Sequence, residues 1–411
     1  MLQTILKKLR QLTAAHVLAV LFLVYIFYVG LYAMPDFMYN IGRSLHWQTG
    51  INDLIDSVDA VYEDMLAAEK HLPLLHNKGT YVNLNGYMAD LMDQPMMNER
   101  IKLKNGHLTH LVTDAMDPEN IQQAADNVIR FHKTQTASGG NFLFVLTPNQ
   151  ISKYEDLLPE GYTDTTHATA DAFLAMLNDA GVPCLDLREE LQKDGISVTD
   201  AFFVTDHHWT PQTGLWAFGE ILEKLTDMDA IEAVDPKYTD PGYYIFETYD
   251  DAFLGSAGRR TGTKFAGLDD AVLLRPEFET DISVILPEKD LSLRGAYEEV
   301  AYSTADEPDY EDPDFFKDNV YGLYGWGDTQ ITHWRNEGAA QQGNFLLIGE
   351  SFGNIPFSLM SLVFGVCDEV DLRLYEGDFA GYYGSFRPKT VILEMNPDMI
   401  GSVFTNYPYP N

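Results

Sequence analysis

The sequence predicts an α/β protein, a parallel sheet with helices on both faces, carried behind one N-terminal membrane-spanning helix. Three observations predict it. From about residue 101, short apolar runs of strand length alternate with helix-length amphipathic stretches. At residues 344–356 an apolar run, a glycine-flanked serine and a Pro-containing helix start follow one another. An apolar stretch at 14–34, interrupted only by His16, has the roughly 20 residues needed to cross a bilayer core.

The elements follow in order. Lys7, Lys8 and Arg10 precede the apolar stretch and no acid does, so 1–13 reads as a cytoplasmic tail, 14–34 as the anchor and everything after Pro35 as external. A signal peptide is the competing reading, but Leu31-Tyr32-Ala33-Met34 makes a poor cleavage site. Residues 35–100 read as a helical stalk or N-terminal extension, with apolar spacing over 51–65. Residues 101–411 form the main domain. Its helices are predicted at 118–136, 169–180 and 211–224, and its strands at 142–146, 184–187, 344–348, 369–374 and 390–393. Residues 228–340, rich in aromatic, Gly, Pro and acidic residues, read as a β-rich or irregular insertion. It serves either as a lid or acceptor-binding wall or as a surface subdomain.

Charge narrows the partners. With 62 Asp and Glu against 27 Lys and Arg, a formal net charge of −35, the chain would repel nucleic acid and other polyanions, and a neutral sugar fits better. The acidic run at 306–319 reads as a solvated loop, with calcium binding as a further option. The two cysteines, Cys184 and Cys367, each stand beside a predicted strand, and a disulfide and two buried thiols both remain open.

Two motifs carry the chemistry. Gly349-Glu350-Ser351-Phe352-Gly353 follows a predicted strand, and such a turn holds a hydroxyl at the carboxyl edge of a sheet, near backbone N–H groups that face a developing oxyanion. The α/β-hydrolase elbow has this pattern but places its acid and histidine after the serine. Here all eleven histidines precede Ser351, which excludes that fold. The base must come from Thr205-Asp206-His207-His208-Trp209-Thr210, where Thr210 caps a helix opened by Pro211 and carried by Leu215, Phe218, Ile221, Leu222 and Leu225. In an extended segment Asp206 and His208 leave the same face, so the carboxylate can fix the imidazole tautomer, while His207 points away as a structural histidine. Trp209 packs under the loop or stacks on a sugar ring. Manganese phosphoesterases need acids on an early strand, and 142–146 has none; zinc palmitoyltransferases need a cysteine-rich domain. Neither a metal nor another cofactor is expected.

These residues carry a resemblance. TDHHWT with its Pro-initiated helix, GESFGNIPF, CDEVDLRLY, Lys104-Asn105-Gly106, FLFVLTPNQISKYEDLLPEGY, VPCLDLREEL and FLGSAGRRTG together resemble the DHHW family, which is similar to the alginate O-acetyltransferase group of SGNH-like enzymes. The resemblance implies an SGNH-like, flavodoxin-like domain at the cell surface, with Ser351 as nucleophile, His208 as base and Asp206 as its orienting partner, acting in polysaccharide O-acetylation. It implies a polysaccharide acceptor and a membrane-bound O-acyltransferase as donor partner. Glu350 stands where the family usually has Asp, and Gln150 where it usually has Lys. The substrate-binding candidates are Trp326 and Tyr324 on an aromatic platform with Tyr321, Tyr382 and Tyr383, together with Asn149, Gln150 and Arg373. An esterase using the same triad, and a non-catalytic surface or assembly protein, are the alternatives.

Overall fold

The computed structural model describes residues 20–25, 27–28, 78–303, 319–402, 407 and 409. The chain divides into a unit of Met1–Tyr81 with Asp312–Asp314 and a unit containing the rest. Of the first, residues 20–25, 27 and 28 are helical and exposed, and 78–81 open the helix Lys78–Leu91. Most of the 14–34 stretch lies outside the described residues, as do most of the 35–100 segment and nearly all of the acidic 306–319 run. Among the described residues no helix is long and apolar enough to cross a membrane.

In the second unit, Met96–Met97 (β1), Arg100–Lys102 (β2) and Leu108–Thr109 (β3) make a small antiparallel sheet, where the sequence carried few strand signals. The main sheet begins with Asn141–Leu146 (β4) and Cys184–Asp186 (β5). The strands that follow are Tyr244–Phe253 (β6), Asp269–Pro276 (β7), Ile282–Leu286 (β8), Leu291–Gly295 (β9), Ile331–Arg335 (β10), Gln341–Ile348 (β11), Phe364–Val370 (β12) and Thr390–Met395 (β13). Eight of them form one sheet in the order β5-β4-β13-β11-β12-β10-β8-β9. The first five run parallel, and β10, β8 and β9 continue the sheet antiparallel. The β6-β7 hairpin stands apart from it.

The parallel strands are apolar runs because both their faces are covered. Leu143, Val145, Phe345, Leu347 and Ile392 pack in one core with Leu215, Phe218 and Leu222 of helix Pro211–Asp227 and Phe357 of helix Asn354–Met360. The alternate residues Phe142, Phe144, Leu346, Ile348, Val391 and Leu393 pack with Val128 and Phe131 of helix Pro118–Ala137 and Phe173 of helix Thr166–Asp179. The helix starts follow local signals. Asp117 accepts the Glu119 N–H ahead of Pro118, and Thr210 accepts the Thr213 N–H ahead of Pro211.

Residues 228–340 are β-rich, and three of their strands extend the main sheet, with β10 paired to β12, β8 to β10 and β9 to β8. Strands β8 and β10 alternate buried with more exposed residues and β9 has no fully buried one, so they lack the continuous apolar run of the parallel strands. The strand expected at 369–374 ends at Val370, because Asp371 accepts the Arg373 N–H and folds the chain into a turn.

The topology also decides the cysteine question. Cys184 on β5 and Cys367 on β12 are four strand spacings apart, about 19 Å at ~4.8 Å each. A disulfide needs Cα atoms within roughly 7 Å, so both thiols are free. Denatured without reductant, the protein should take up two equivalents of an alkylating agent by intact mass; uptake of none would contradict the strand order.

Candidate active site

Strand β11 ends at Ile348, and the chain passes through Gly349 and Glu350 into a 3₁₀ turn, Ser351–Gly353, that leads straight into helix Asn354–Met360. The apolar strand fixes where the turn falls, at the carboxyl edge of the parallel sheet. Gly349 allows a close approach there, since a Cβ on it would lie 2.6 Å from both Glu394 Oε2 and the Phe357 ring. Ser351 is buried but for 7% of its surface.

The TDHHWT loop meets the turn from across the sheet. Asp206 Oδ1 accepts from His208 Nδ1 at 2.5 Å, and His208 Nε2 lies 2.8 Å from Ser351 Oγ. This is an unbroken chain of acid, imidazole and hydroxyl. The loop bends instead of running extended, so Asp206 also accepts the backbone N–H of His208, and the expected alternation fails for His207. Its ring lies 3.8 Å from the His208 ring, and its Nδ1 is 3.0 Å from Ser256 Oγ. Trp209 is fully buried against Phe352, under the loop.

The insertion completes the site. Ser256 donates its backbone N–H to Asp206 Oδ2 at 2.5 Å, and Asp269 accepts the N–H groups of Val204 and Thr205 and the Thr205 hydroxyl. Tyr321 lies flat on the His208 ring, 3.7 Å away at 5°, and its hydroxyl donates to the Ser351 carbonyl at 3.1 Å. One side chain therefore touches both His208 and Ser351. In the sequence Tyr321 is one of two tyrosines in YGLYGWGD, and no spacing marks it for this contact.

Electrostatics sort the carboxyls. Burial pushes the Asp206 carboxyl up, but His208, His207 and the Ser256 N–H outweigh it and hold the group well below the usual carboxylate range. Glu350 moves the other way. Burial raises it, and Arg373 and His208 recover only part of the shift. Glu394, fully buried on β13, is pushed well up by burial and by the neighbouring Glu350 carboxyl. Burial and the neighbouring Asp206 keep the Tyr321 hydroxyl protonated, as a donor. Asp206, His207 and His208 offer metal-ligand atoms within 4.8 Å of one another. Both Asp206 oxygens already accept N–H groups, however, and His208 Nε2 faces the serine, so these lone pairs are committed to the hydrogen-bond chain.

The expected substrate-binding residues divide. Arg373 sits at the elbow, with Nη1 3.9 Å from Glu350 Oε2 and Nη2 2.6 Å from Asp371. Asn149 is nearly buried in the loop after β4, with an Oδ1 that has no partner. Gln150 braces the loop: its buried Nε2 donates to the carbonyls of Phe203 and Asp206, while among the described residues its Oε1 has no partner. Tyr324 is a core residue whose hydroxyl donates to Val272 O. Trp326 donates to Val300 O and packs by Lys289, while Tyr382 and Tyr383 bond to Asp368 and Gln135. Of the aromatic candidates, Tyr321 thus lies at the elbow, against His208 and Ser351, while Tyr324, Trp326, Tyr382 and Tyr383 bond to groups elsewhere. A cavity of about 340 Å³, lined by Val112, Met116, Ile400, Asp114, Asn120 and Asp398 among others, lies at the carboxyl end of β13, on the same edge as Ser351.

A five-strand parallel sheet with the serine after one strand, and an upstream Asp-x-His reaching it, defines an SGNH-like α/β fold. Residues 108–239 match the family model described as SGNH hydrolase-like domain, acetyltransferase AlgX, a segment that includes β4, β5 and the TDHHWT loop and ends before the elbow. The fold is similar to Bacillus cereus PatB1 in a structure with a sulfonyl adduct, at TM-score 0.63 and 16% identity over 77% of this chain and 100% of that one. It is also similar to a DHHW family protein from Eubacterium siraeum, at TM-score 0.58 and 14% identity over 77% of this chain and 97% of that one. No curated protein matches the chain in sequence. The resemblance to the DHHW family and to the AlgX acetyltransferase group is borne out.

A Cβ on Gly255 would lie 2.2 Å from Asp206 Cβ. Gly255→Ala must therefore displace the acid or its Ser256 donor, with an expected loss of about 1–3 kcal/mol in urea denaturation. A neutral substitution would mean that Ser256 does not brace Asp206.

Proposed function

We propose that this protein is an extracytoplasmic O-acyltransferase that passes an acyl group, most simply acetyl, through Ser351 to a hydroxyl of a cell-surface polysaccharide. The observation that carries the reading is the continuous contact from Asp206 through His208 to Ser351 at the carboxyl edge of the sheet. The similarity of residues 108–239 to an acetyltransferase model supports the reaction class.

In the first half-reaction Ser351 Oγ attacks the acyl carbonyl carbon and its proton passes to His208 Nε2. Asp206 holds the imidazole in the required tautomer and stabilises the imidazolium. The turn opening at Ser351 supplies backbone N–H groups for the oxyanion. Collapse breaks the bond to the donor's leaving group, which takes the proton from His208. The second half-reaction repeats these steps with a sugar hydroxyl as nucleophile and Ser351 Oγ as leaving group. A bound, aligned hydroxyl outcompetes water because effective molarities of such groups reach ~10⁵ M or more. The acidic chain suits a neutral sugar. A membrane-bound O-acyltransferase would deliver the acyl group across the bilayer, and the 14–34 segment would anchor the chain beside it.

The test is direct. Incubated with an activated acetyl ester and digested for mass spectrometry, the protein should carry an acetyl group on the Ser351 peptide. Ser351→Ala and His208→Ala should each lower turnover on the order of 10⁴-fold. Turnover in Ser351→Ala equal to wild type, with an unmodified peptide, would reject the reading. Release of acetate from acetylated polymer, with no transfer to added glycan, would decide for an esterase.

A further inference from the structure

Ser351 Oγ has two neighbours and one proton. It lies 2.8 Å from His208 Nε2 and 3.1 Å from Glu350 Oε2. With Asp206 fixing the proton of the neutral imidazole on Nδ1, Nε2 must accept the serine proton, which leaves a serine lone pair facing the Glu350 carboxyl. An ionised carboxylate there would be an acceptor facing an acceptor.

Among the described residues the surroundings do not supply the countercharge that an ionised Glu350 needs. Glu350 is 4% exposed, and its Oε1 is buried with no hydrogen-bond partner among those residues, a costly position for a charged oxygen. Arg373 approaches Glu350 only to 3.9 Å, because its Nε and Nη2 are engaged by Asp371 at 2.6–3.0 Å and its Nη2 lies 3.4 Å from Asp328. From β13, the buried Glu394 adds a further carboxyl, with Oε2 against Gly349. From the insertion Tyr321 contributes a neutral phenol, and from the loop His208 is paired with Asp206. One guanidinium thus serves Asp371, Asp328 and Glu350.

We propose that Glu350 works as a neutral carboxylic acid that donates a hydrogen bond to Ser351 Oγ, a fourth catalytic residue beside the triad. This rests on the acyl-serine reading above. In the resting site the donated bond turns the serine O–H toward His208. In the second half-reaction the bond from acyl carbon to Oγ breaks, the electron pair goes to Oγ and His208 returns a proton to it. Glu350 keeps its own proton throughout and stabilises the departing oxygen through the hydrogen bond. Burial, which raises the Glu350 carboxyl, favours the same protonation state. The acid form is the working one, so activity falls as pH rises through the raised value.

The experiment compares wild type, Glu350→Gln and Glu350→Ala by pre-steady-state kinetics with an activated acetyl ester, following acetyl-Ser351 by rapid-quench mass spectrometry across pH. Gln keeps a donor that does not titrate. Deacylation in Glu350→Gln should stay within about tenfold of wild type and lose the alkaline fall in rate. In Glu350→Ala the acyl-enzyme should form and persist, with deacylation slower by about 10²- to 10³-fold, the scale of a lost oxyanion donor. Thermal unfolding checks that both variants fold. Deacylation in Glu350→Gln as slow as in Glu350→Ala would overturn the proposal, because it would show that the carboxylate form is needed; so would an alkaline limb unchanged in Glu350→Gln. Absence of acetyl-Ser351 from wild type would instead reject the acyl-serine reading itself.

Discussion

The hydrogen bond between Asp206 and His208, 2.5 Å from Oδ1 to Nδ1, is the contact on which the arrangement of the site depends. A carboxylate that is 1% exposed is tolerated only where donors replace the water it has lost. Here the donors are the His208 ring and backbone and the Ser256 backbone, and each comes from a segment with its own supports. Asp269 pins Thr205, Gln150 braces the carbonyls of Phe203 and Asp206, and Thr210 caps the helix that follows. The loop is held by the carboxylate's needs as much as the carboxylate by the loop.

This explains why the insertion belongs to the core of the protein. Its first part supplies Gly255 and Ser256 against Asp206, and its last part supplies Tyr321 over His208 and strand β10 beside β12. The histidine and the serine are 143 residues apart, and Tyr321 bridges them by stacking on one and bonding to the backbone of the other. The same convergence crowds carboxyls at the elbow. Glu350 and Glu394 are pushed up by burial while Asp206 is held down by its histidines and the Ser256 N–H, so neighbouring carboxyls are shifted in opposite directions in one site.

Much of this was legible in the sequence where the signal is local. The parallel strands are buried on both faces and read as apolar runs; the helices at Pro118 and Pro211 announce themselves by cap, proline and spacing; the triad residues sit in two short motifs whose order excluded another fold. What was missed depends on tertiary contact. Strands β8 and β10 bury alternate residues and β9 buries none fully, so little in the sequence marks their place in the main sheet. His207 was read from strand alternation, but the loop bends around Asp206. Tyr324 and Trp326 were read as a surface platform and are packing residues, because an aromatic side chain looks the same in sequence whether it faces a sugar or a core. Gln150 reads as a ligand contact from its motif, and only the fold reveals the two carbonyls it serves.

The most direct test is the proton NMR spectrum of the protein in water. A proton held between the Asp206 carboxylate and His208 Nδ1 and shielded from solvent should give a resonance well downfield of the amide envelope. It should be lost in Asp206→Asn and His208→Ala and kept in His207→Ala. Absence of such a resonance across the pH range of the folded protein, or its loss in His207→Ala with the fold intact, would contradict the account.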